Sequence, residues 1–223
     1  MKYLIITAIL IISAVNVNAQ GIGKIVPDKP PVIFPPNAVG LDLIFSEGGF
    51  GLGGFYRHSI SDEVTLFTDL SISEAKDPQE FTYNYLDIYG DYQSVTPNKV
   101  NRAFLLPLNF GVQYRLFENA IFDNLRPYID AAVGPTMVIT DPDSIEYFKA
   151  IGKAHARFTI GGYVGIGANF GLDKSSLVGL NVRYYIVHFF KQGVNILNNY
   201  DGTPRFENDL GGVFITLNIG FMY

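Results

Sequence analysis

The last eleven residues constrain the fold more than any other part of the chain. In the run Val213–Tyr223 the odd-numbered positions carry Val, Ile, Leu, Ile, Phe and Tyr, whereas the even-numbered positions are mostly small or polar. Because successive side chains on a β-strand point to opposite faces, this alternation predicts a strand with one fully apolar face. A soluble sheet rarely repeats that pattern with its other face full of Gly, Asn, Tyr and Arg.

The same alternation recurs along the chain and predicts eight strands. Their predicted ranges are 38–46, 49–58, 64–74, 102–116, 125–140, 157–170, 177–190 and 211–223. Each apolar face fits lipid, whereas the charges and glycines of the other face need partners inside the protein. In hydrocarbon every backbone group must be hydrogen-bonded internally, so such a sheet must close. We therefore predict an all-β, antiparallel up-and-down transmembrane barrel with a narrow polar lumen.

The connections between the predicted strands alternate in length. Three are short, at 59–63, 117–124 and 171–176, and three are long, at 75–101, 141–156 and 191–210. The tight connection at Glu47-Gly48 falls on the long-loop side. Short periplasmic turns and long outer loops are typical of membrane barrels, so an even strand number places both termini in the periplasm. Pro107 and Pro135 fall inside strands, where we expect a bulge or a missing ladder bond.

Two segments precede the predicted barrel of residues 38–223. Residues 1–19 combine a positive start, an apolar stretch from Leu4 to Ile12 and small residues before Gln20, which predicts a cleaved secretory signal peptide. A membrane anchor would need about 20 apolar residues. Residues 20–37 hold five prolines and are predicted to form an extended periplasmic segment, either a linker or a docking peptide.

Composition excludes several classes of protein. A hydrophobic content of 48% is too high for a disordered chain. The absence of cysteine rules out a disulfide scaffold, a thiolate metal site, a cysteine nucleophile and a lipoprotein anchor. A net charge of −5 argues against a nucleic-acid partner. We expect neither a metal nor a cofactor.

From residue 38 to the C-terminus the chain resembles the small eight-stranded bacterial outer-membrane barrels of the OmpA/OmpX type. The resemblance rests on the signal peptide, the loop asymmetry and the terminal strand. That strand is similar to the C-terminal signal that the outer-membrane assembly machinery reads. The positions that carry this similarity are Leu217, Ile219, Phe221 and Tyr223. The resemblance implies a location in the outer membrane, with membrane lipid and the assembly machinery as partners.

Eight strands leave an interior just wide enough for side chains. The ionisable residues on the predicted inward face are Asp42, Arg57, Asp69, Arg115, Arg126, Asp130, Arg157 and Arg183. Buried charges must be paired and hydrogen-bonded, so we expect these side chains to form a polar plug. A gated proton or ion path is the alternative.

The first long loop is unusually rich in aromatic residues. Phe81, Tyr83, Tyr85, Tyr89 and Tyr92 occur within twelve residues, interleaved with acidic ones. Rings with a polar handle suit contact with an extracellular protein or glycan. The alternative is that the loop only extends the wall above the membrane and packs on its neighbours.

The sequence leaves three functions open. The leading one is a non-enzymatic outer-membrane barrel with a structural or surface-interaction role. A lipid A-modifying enzyme would use His188 or His155, but the sequence around His188 offers no serine two residues on and no visible acidic neighbour. A soluble lipocalin-like periplasmic binding barrel would turn its apolar face inward. The two kinds of barrel differ in which side chains point inward. In a lipocalin-like barrel these would be the apolar Phe158, Ile160 and Val164, and in a membrane barrel they would be Thr159, Gly161 and Tyr163.

Overall fold

The computed structural model describes residues 34–118, 121, 124–171 and 175–223. The predicted signal peptide and the proline-rich segment up to residue 33 lie outside the described residues. In chain order the strands are β1 (Asn37–Ser46), β2 (Gly49–Ser59), β3 (Val64–Ala75), β4 (Tyr83–Leu86), β5 (Tyr92–Val95), β6 (Asn101–Arg115), β7 (Leu125–Pro142), β8 (His155–Phe170), β9 (Ser176–His188) and β10 (Asp209–Met222). A one-turn helix, α1 (Tyr147–Ala150), and a 3-10 turn (Ile151–Lys153) connect β7 to β8.

Eight of these strands form a closed antiparallel barrel in the order β1-β10-β9-β8-β7-β6-β3-β2. The first and last strands close it, with Ala38 opposite Met222 and Ser46 opposite Phe214. The predicted fold class is thus confirmed, and the observed strand bounds agree with the predicted ones to within two residues. The remaining strands, β4 and β5, form a separate hairpin inside the first long loop.

We call the end that carries the short turns and the C-terminus the periplasmic end, and the opposite end the outer end. The long connections at the outer end are residues 76–100, 143–154 and 189–208, whereas the turn between β1 and β2 is tight. Among the eight barrel strands, the two next to that turn are the shortest and β7 and β8 are the longest, so the wall differs in height around the barrel.

Pro107 on β6 and Pro135 on β7 interrupt the hydrogen-bond ladder, as predicted. Between β6 and β7 the register lacks the pairs that would join Leu108 and Asn109 to Gly134 and Pro135. Proline has no backbone N–H to donate to the ladder. The strands approach closely at this point, because a Cβ built on Gly134 would lie 1.9 Å from the carbonyl oxygen of Leu108. Only glycine fits such an approach.

The apolar parity faces outward. On β8, Phe158 is 77% exposed and Val164 is 63% exposed. Tyr163, which lies between them in the sequence and has the opposite parity, is only 4% exposed. An exposed apolar band on a closed wall is the surface that lipid requires. The lipocalin-like alternative is therefore wrong, since it needs these residues to point inward. No helix in the described part of the chain is long and apolar enough to cross a membrane.

The main polar cluster lies near the middle of the lumen, with an apolar cluster on either side of it. Toward the outer end most inward positions are apolar, and the connection 189–208 folds over them. The buried side chains of this upper cluster include Leu105, Val138, Val187, Phe189, Val194, Ile196 and Leu210. The predicted strand 177–190 ends at His188, and Phe189, which follows in the inward parity, is buried in this cluster.

Candidate functional site

The centre of the lumen is organised around one guanidinium group. Arg183 projects inward from β9 and is only 7% exposed. Its Nη2 lies 3.8 Å from Oδ2 of Asp42 on β1, and its Nη1 lies 3.8 Å from Oδ2 of Asp69 on β3. The guanidinium also lies 4.6 Å from the centre of the Tyr163 ring. One cation therefore links inward positions from four strands, since Tyr163 belongs to β8.

Each aspartate of this central cluster also accepts a hydrogen bond from an asparagine amide. Asn218 donates to Oδ1 of Asp42, Asn109 donates to Oδ1 of Asp69 at 2.7 Å, and Asn181 donates to Oδ2 of Asp130 at 2.8 Å. The Tyr163 hydroxyl adds a bond of 2.9 Å to Asp69. Charge-assisted bonds of this kind compensate carboxylates for the water they lose on burial.

Sequence reasoning missed these amides, although they have the inward parity of the charged set. Two of them sit directly across a strand pair from their carboxylate: Asn218 is opposite Asp42, and Asn109 is opposite Asp69. Parity alone did not distinguish them from other inward polar residues. The register of the closed barrel was the missing signal.

Three of the predicted lumen cations lie toward the periplasmic end. Arg57 donates to Oδ1 of Asn169 at 3.0 Å, Arg115 donates to the carbonyl oxygen of Ile121 at 3.4 Å, and Arg126 stacks on Phe34 at 3.8 Å. Within the described residues none of these three arginines forms an ion pair with a carboxylate.

Arg157 lies apart from the central cluster. It is near the outer rim, and its Nη1 donates to the carbonyl oxygens of Gln192 and Gly193, each at 2.6 Å. These bonds tie the outer connection 189–208 to the start of β8.

The β4–β5 hairpin displays a row of aromatic rings. Phe81, Tyr83 and Tyr85 lie at alternate positions, so they share one face. Their ring centroids are 6.1 Å and 6.3 Å apart. Each of the three side chains is about half exposed, and Tyr89 and Tyr92 are over 80% exposed. We call Phe81, Tyr83 and Tyr85 the aromatic ladder.

The opposite face of the hairpin holds it together. The hydroxyls of Thr82 and Thr96 lie 2.7 Å apart, and Ser94 donates to Asn84 at 2.6 Å. These cross-strand pairs are the usual source of stability in a two-stranded sheet.

The tip of the hairpin is a turn closed by Asp87. Its Oδ1 accepts the backbone N–H groups of Tyr89 at 2.8 Å and Asp91 at 3.0 Å. The hydrogen bond from the Asp91 backbone holds the pKa of Asp87 below its usual value. Gly90 provides the positive φ of 85° that the turn needs.

The base of the hairpin is tied to the rest of the outer end by ion pairs. Nζ of Lys99 lies 2.7 Å from Oε1 of Glu80, and Nη1 of Arg205 lies 2.8 Å from Oδ1 of Asp77. The second of these pairs joins the first outer loop to the last one. An isolated bridge between Lys99 and Leu197 adds a backbone link.

The histidine predictions need one correction. His188 has an acidic neighbour after all, because the β9–β10 register places Asp209 opposite it, with 2.7 Å between Nδ1 and Oδ1. The pair is exposed at the outer end. His155 is exposed at the start of β8.

The predicted assembly-signal residues end strand β10, which closes the barrel. Ile219, Phe221 and Tyr223 are exposed on the lipid-facing side, and Leu217, in the same parity, is half-buried. Their reading by the assembly machinery stays a prediction.

The wall of this protein is closed and eight-stranded, with an apolar outer face, a polar cluster inside and long loops at one end. These features define a transmembrane β-barrel of the outer-membrane type. No family model and no curated protein matches the chain.

Solved structures of outer-membrane barrels resemble it. Neisserial surface protein A is 11% identical with a TM-score of 0.46, covering 84% of this chain and 94% of its own. Outer membrane protein W of E. coli is 13% identical with a TM-score of 0.43, covering 85% and 98%. Outer membrane protein OprG of Pseudomonas aeruginosa is 14% identical with a TM-score of 0.41, covering 84% and 95%.

Proposed function

We propose that this protein is a non-enzymatic outer-membrane barrel that presents the β4–β5 hairpin to an extracellular protein. The observation that carries the proposal is the aromatic ladder. Three half-exposed rings in one row form an apolar strip on the first outer loop, outside the strands of the barrel. Exposed apolar patches on an ordered surface are typical of interaction sites.

The chemistry of the hairpin favours a protein partner. Its residues 81–95 include four tyrosines, a side chain that is enriched in the binding loops of antibodies. Tyrosine contributes a large rigid contact area and a hydroxyl that can exchange water for a partner group. A glycan is the alternative occupant.

The hairpin is ordered before it meets a partner. Its polar face, its Asp87 turn and the ion pairs at its base all fix the ladder in place. A preorganised surface loses less conformational entropy on binding, so more of the contact energy appears as affinity.

The lumen in this proposal is a plug. The interior cavity beside Arg183 has a volume of about 20 Å³, which is room for one water molecule. The space between Arg57, Asp69 and Asp130 is closed to water. We expect purified protein in a planar bilayer to give a flat conductance trace, and regular single-channel steps would contradict the plug.

The experiment compares two faces of the same hairpin. One variant replaces Phe81, Tyr83 and Tyr85 by Ser, and the matched control replaces Leu86 and Ile88, two exposed apolar residues of the other parity, by Ser. Cells displaying each variant are tested on a panel of immobilised extracellular proteins and, separately, polysaccharides.

We expect the ladder variant to lose at least about tenfold in binding to one protein of the panel, the size of loss typical of aromatic hot spots, while the control keeps its binding. Equal binding by all variants would refute the proposed role of the ladder. Loss of binding to a polysaccharide alone would replace the protein partner by a glycan. Surface display, checked with an antibody to the barrel, must be equal.

A lipid A-modifying enzyme remains a second candidate because of the His188–Asp209 pair. A hydrolase would need a nucleophile at the other ring nitrogen, and among the described residues no hydroxyl is found in hydrogen-bond contact with the imidazole. We expect lipid A from cells expressing the wild type and His188→Ala to have the same mass spectrum. A mass change that depends on His188 would favour the enzyme.

A further inference from the structure

The first and last of the long outer connections are joined to each other by backbone hydrogen bonds. The N–H of Val100 donates to the carbonyl oxygen of Ile196 at 2.9 Å. The N–H of Asn198 donates to the carbonyl oxygen of Asn98, also at 2.9 Å. These bonds, together with the pair of Arg205 and Asp77, hold the two connections in one frame at the outer mouth.

Beside this frame lies a cavity of about 50 Å³. At about 10–15 Å³ for each water molecule, it holds about three or four waters. We call it the amide pocket. Its lining includes Gln79, Phe81 and Asn98 from the first connection and Asn198, Tyr200 and Arg205 from the last.

The amide pocket has side-chain amides that the protein leaves unused. Within the described part of the chain, no hydrogen bond reaches the side chain of Gln79 or of Asn98. Asn98 is fixed in place, because its backbone has a φ of 59° and its carbonyl oxygen is bonded to the next connection. Each amide carries both donors and an acceptor, and a hydroxyl group is its natural complement because it also does both.

The amide pocket has no free charge. Arg205 is the single charged residue among its described lining residues. Its Nη1 donates to Asp77 at 2.8 Å, and its Nη2 donates to Glu207. A charged ligand would therefore find no unpaired counter-charge here, so the lining favours an uncharged one.

Two aromatic rings complete the lining. Tyr200 is 93% exposed, and it makes no ring contact or hydrogen bond through its side chain within the described residues. Phe81 is half exposed and belongs to the aromatic ladder. An aromatic ring packs well against the C–H face of a sugar, while amides bond to its hydroxyls. Rings and uncharged amides at one pocket are therefore the combination that a neutral sugar requires.

We propose that the amide pocket binds a terminal sugar of an uncharged glycan. One edge of the sugar ring enters the pocket, where its hydroxyls replace the waters and bond to Gln79 and Asn98. The C–H face of the sugar packs on Tyr200. The pocket shares Phe81 with the aromatic ladder, but Tyr85 does not line it, so sugar binding does not depend on the proposed protein partner.

The test uses purified protein in nanodiscs of uncharged lipid, titrated with methyl glycosides and followed by saturation-transfer NMR. The uncharged probes are the methyl glycosides of glucose, galactose, mannose and N-acetylglucosamine, and methyl glucuronide is the charged probe. Tyr200→Ala removes the ring, and Asn98→Gly removes the amide while keeping a residue that adopts a φ of 59° easily. Tyr85→Ala, at a half-exposed tyrosine outside the pocket, is the matched control.

We expect at least one uncharged glycoside to bind the wild type and Tyr85→Ala equally. Tyr200→Ala and Asn98→Gly should each bind it about fivefold more weakly, as for the loss of one ring contact or one neutral hydrogen bond. Methyl glucuronide should bind no more tightly than methyl glucoside, because the pocket offers no free cation.

Three results would overturn the proposal. The first is that none of the uncharged glycosides binds, and the second is that the wild type and both pocket variants bind them equally. The third is a loss confined to Tyr85→Ala, which would move the sugar from the amide pocket to the aromatic ladder. Failure of the ladder to bind any protein would leave the expected sugar binding unchanged, so the two proposals fail separately.

Discussion

Replacing Arg183 by methionine tests the central cluster. The side chain keeps its apolar length, but the carboxylates of Asp42 and Asp69 lose the cation that lies 3.8 Å from each. Removing one partner of a buried charge network costs about 3–5 kcal/mol, because the other charge stays buried and uncompensated.

Protonation sets an upper limit on this cost. At pH 7 a carboxyl of ordinary acidity takes up a proton at a cost of about 4 kcal/mol, and at pH 5 the cost is about 1.5 kcal/mol. A folded variant that holds an extra proton loses stability as the pH rises, since it then binds more protons than its unfolded state. We therefore expect a destabilisation of about 4 kcal/mol at pH 7 that shrinks to about 1.5 kcal/mol at pH 5.

The chain has no tryptophan, so unfolding is best followed by far-UV circular dichroism and by the gel shift between folded and heated barrel. Arg126→Met is the matched control: within the described residues that side chain has a sulfur and an aromatic ring as neighbours and no carboxylate. The double variant Arg183→Met/Asp69→Asn should recover part of the loss. Equal urea midpoints for Arg183→Met and Arg126→Met, at both pH values, would refute the reasoning.

Three further predictions concern the hairpin, the wall and the lipid face. Because the backbone hydrogen bond from Asp91 holds the pKa of Asp87 below its usual value, the turn is fully stabilised above about pH 4 and loosens as the pH falls through the lowered pKa. Asp87→Ala should abolish this pH dependence of amide exchange at Tyr89 and Asp91. Gly134→Ala should prevent barrel closure, seen as loss of the heat-dependent gel shift, because its Cβ would meet the Leu108 carbonyl oxygen. Val164→Arg should cost about 2–4 kcal/mol in urea unfolding from bilayers, as a charge facing lipid does.

Each of these has an outcome that contradicts it. Unchanged exchange rates in Asp87→Ala would show that the turn does not depend on the carboxylate. A normal gel shift for Gly134→Ala would mean that β6 and β7 can separate at this point. An unaffected Val164→Arg, compared with Thr159→Arg on the other parity, would argue against lipid contact at that position.

The strands were predictable because alternation is a local property of the chain. Parity alone was enough to predict that Phe158, Ile160 and Val164 face outward. The observed bounds of the barrel strands also follow the predicted bounds closely. The tight turn at Glu47-Gly48 and the ladder break beside Pro107 were also visible, since both depend on residue types in one short stretch.

The partners inside the lumen were not predictable in the same way. Asn218 lies 176 residues from Asp42 along the chain, and only closure of β10 on β1 brings them together. The same holds for His188 and Asp209, which the β9–β10 register places side by side.

The sequence by itself determined the period, the face and the approximate ends of each strand, because each side chain's preference for lipid or for polar partners acts position by position. The tertiary structure alone decided which inward groups meet, that the connection 189–208 packs against the apolar side chains near the outer end, and that β10 runs past the end of β1. These features depend on register and on the unequal height of the wall. Both are fixed only when the sheet closes and every strand must satisfy two neighbours at once.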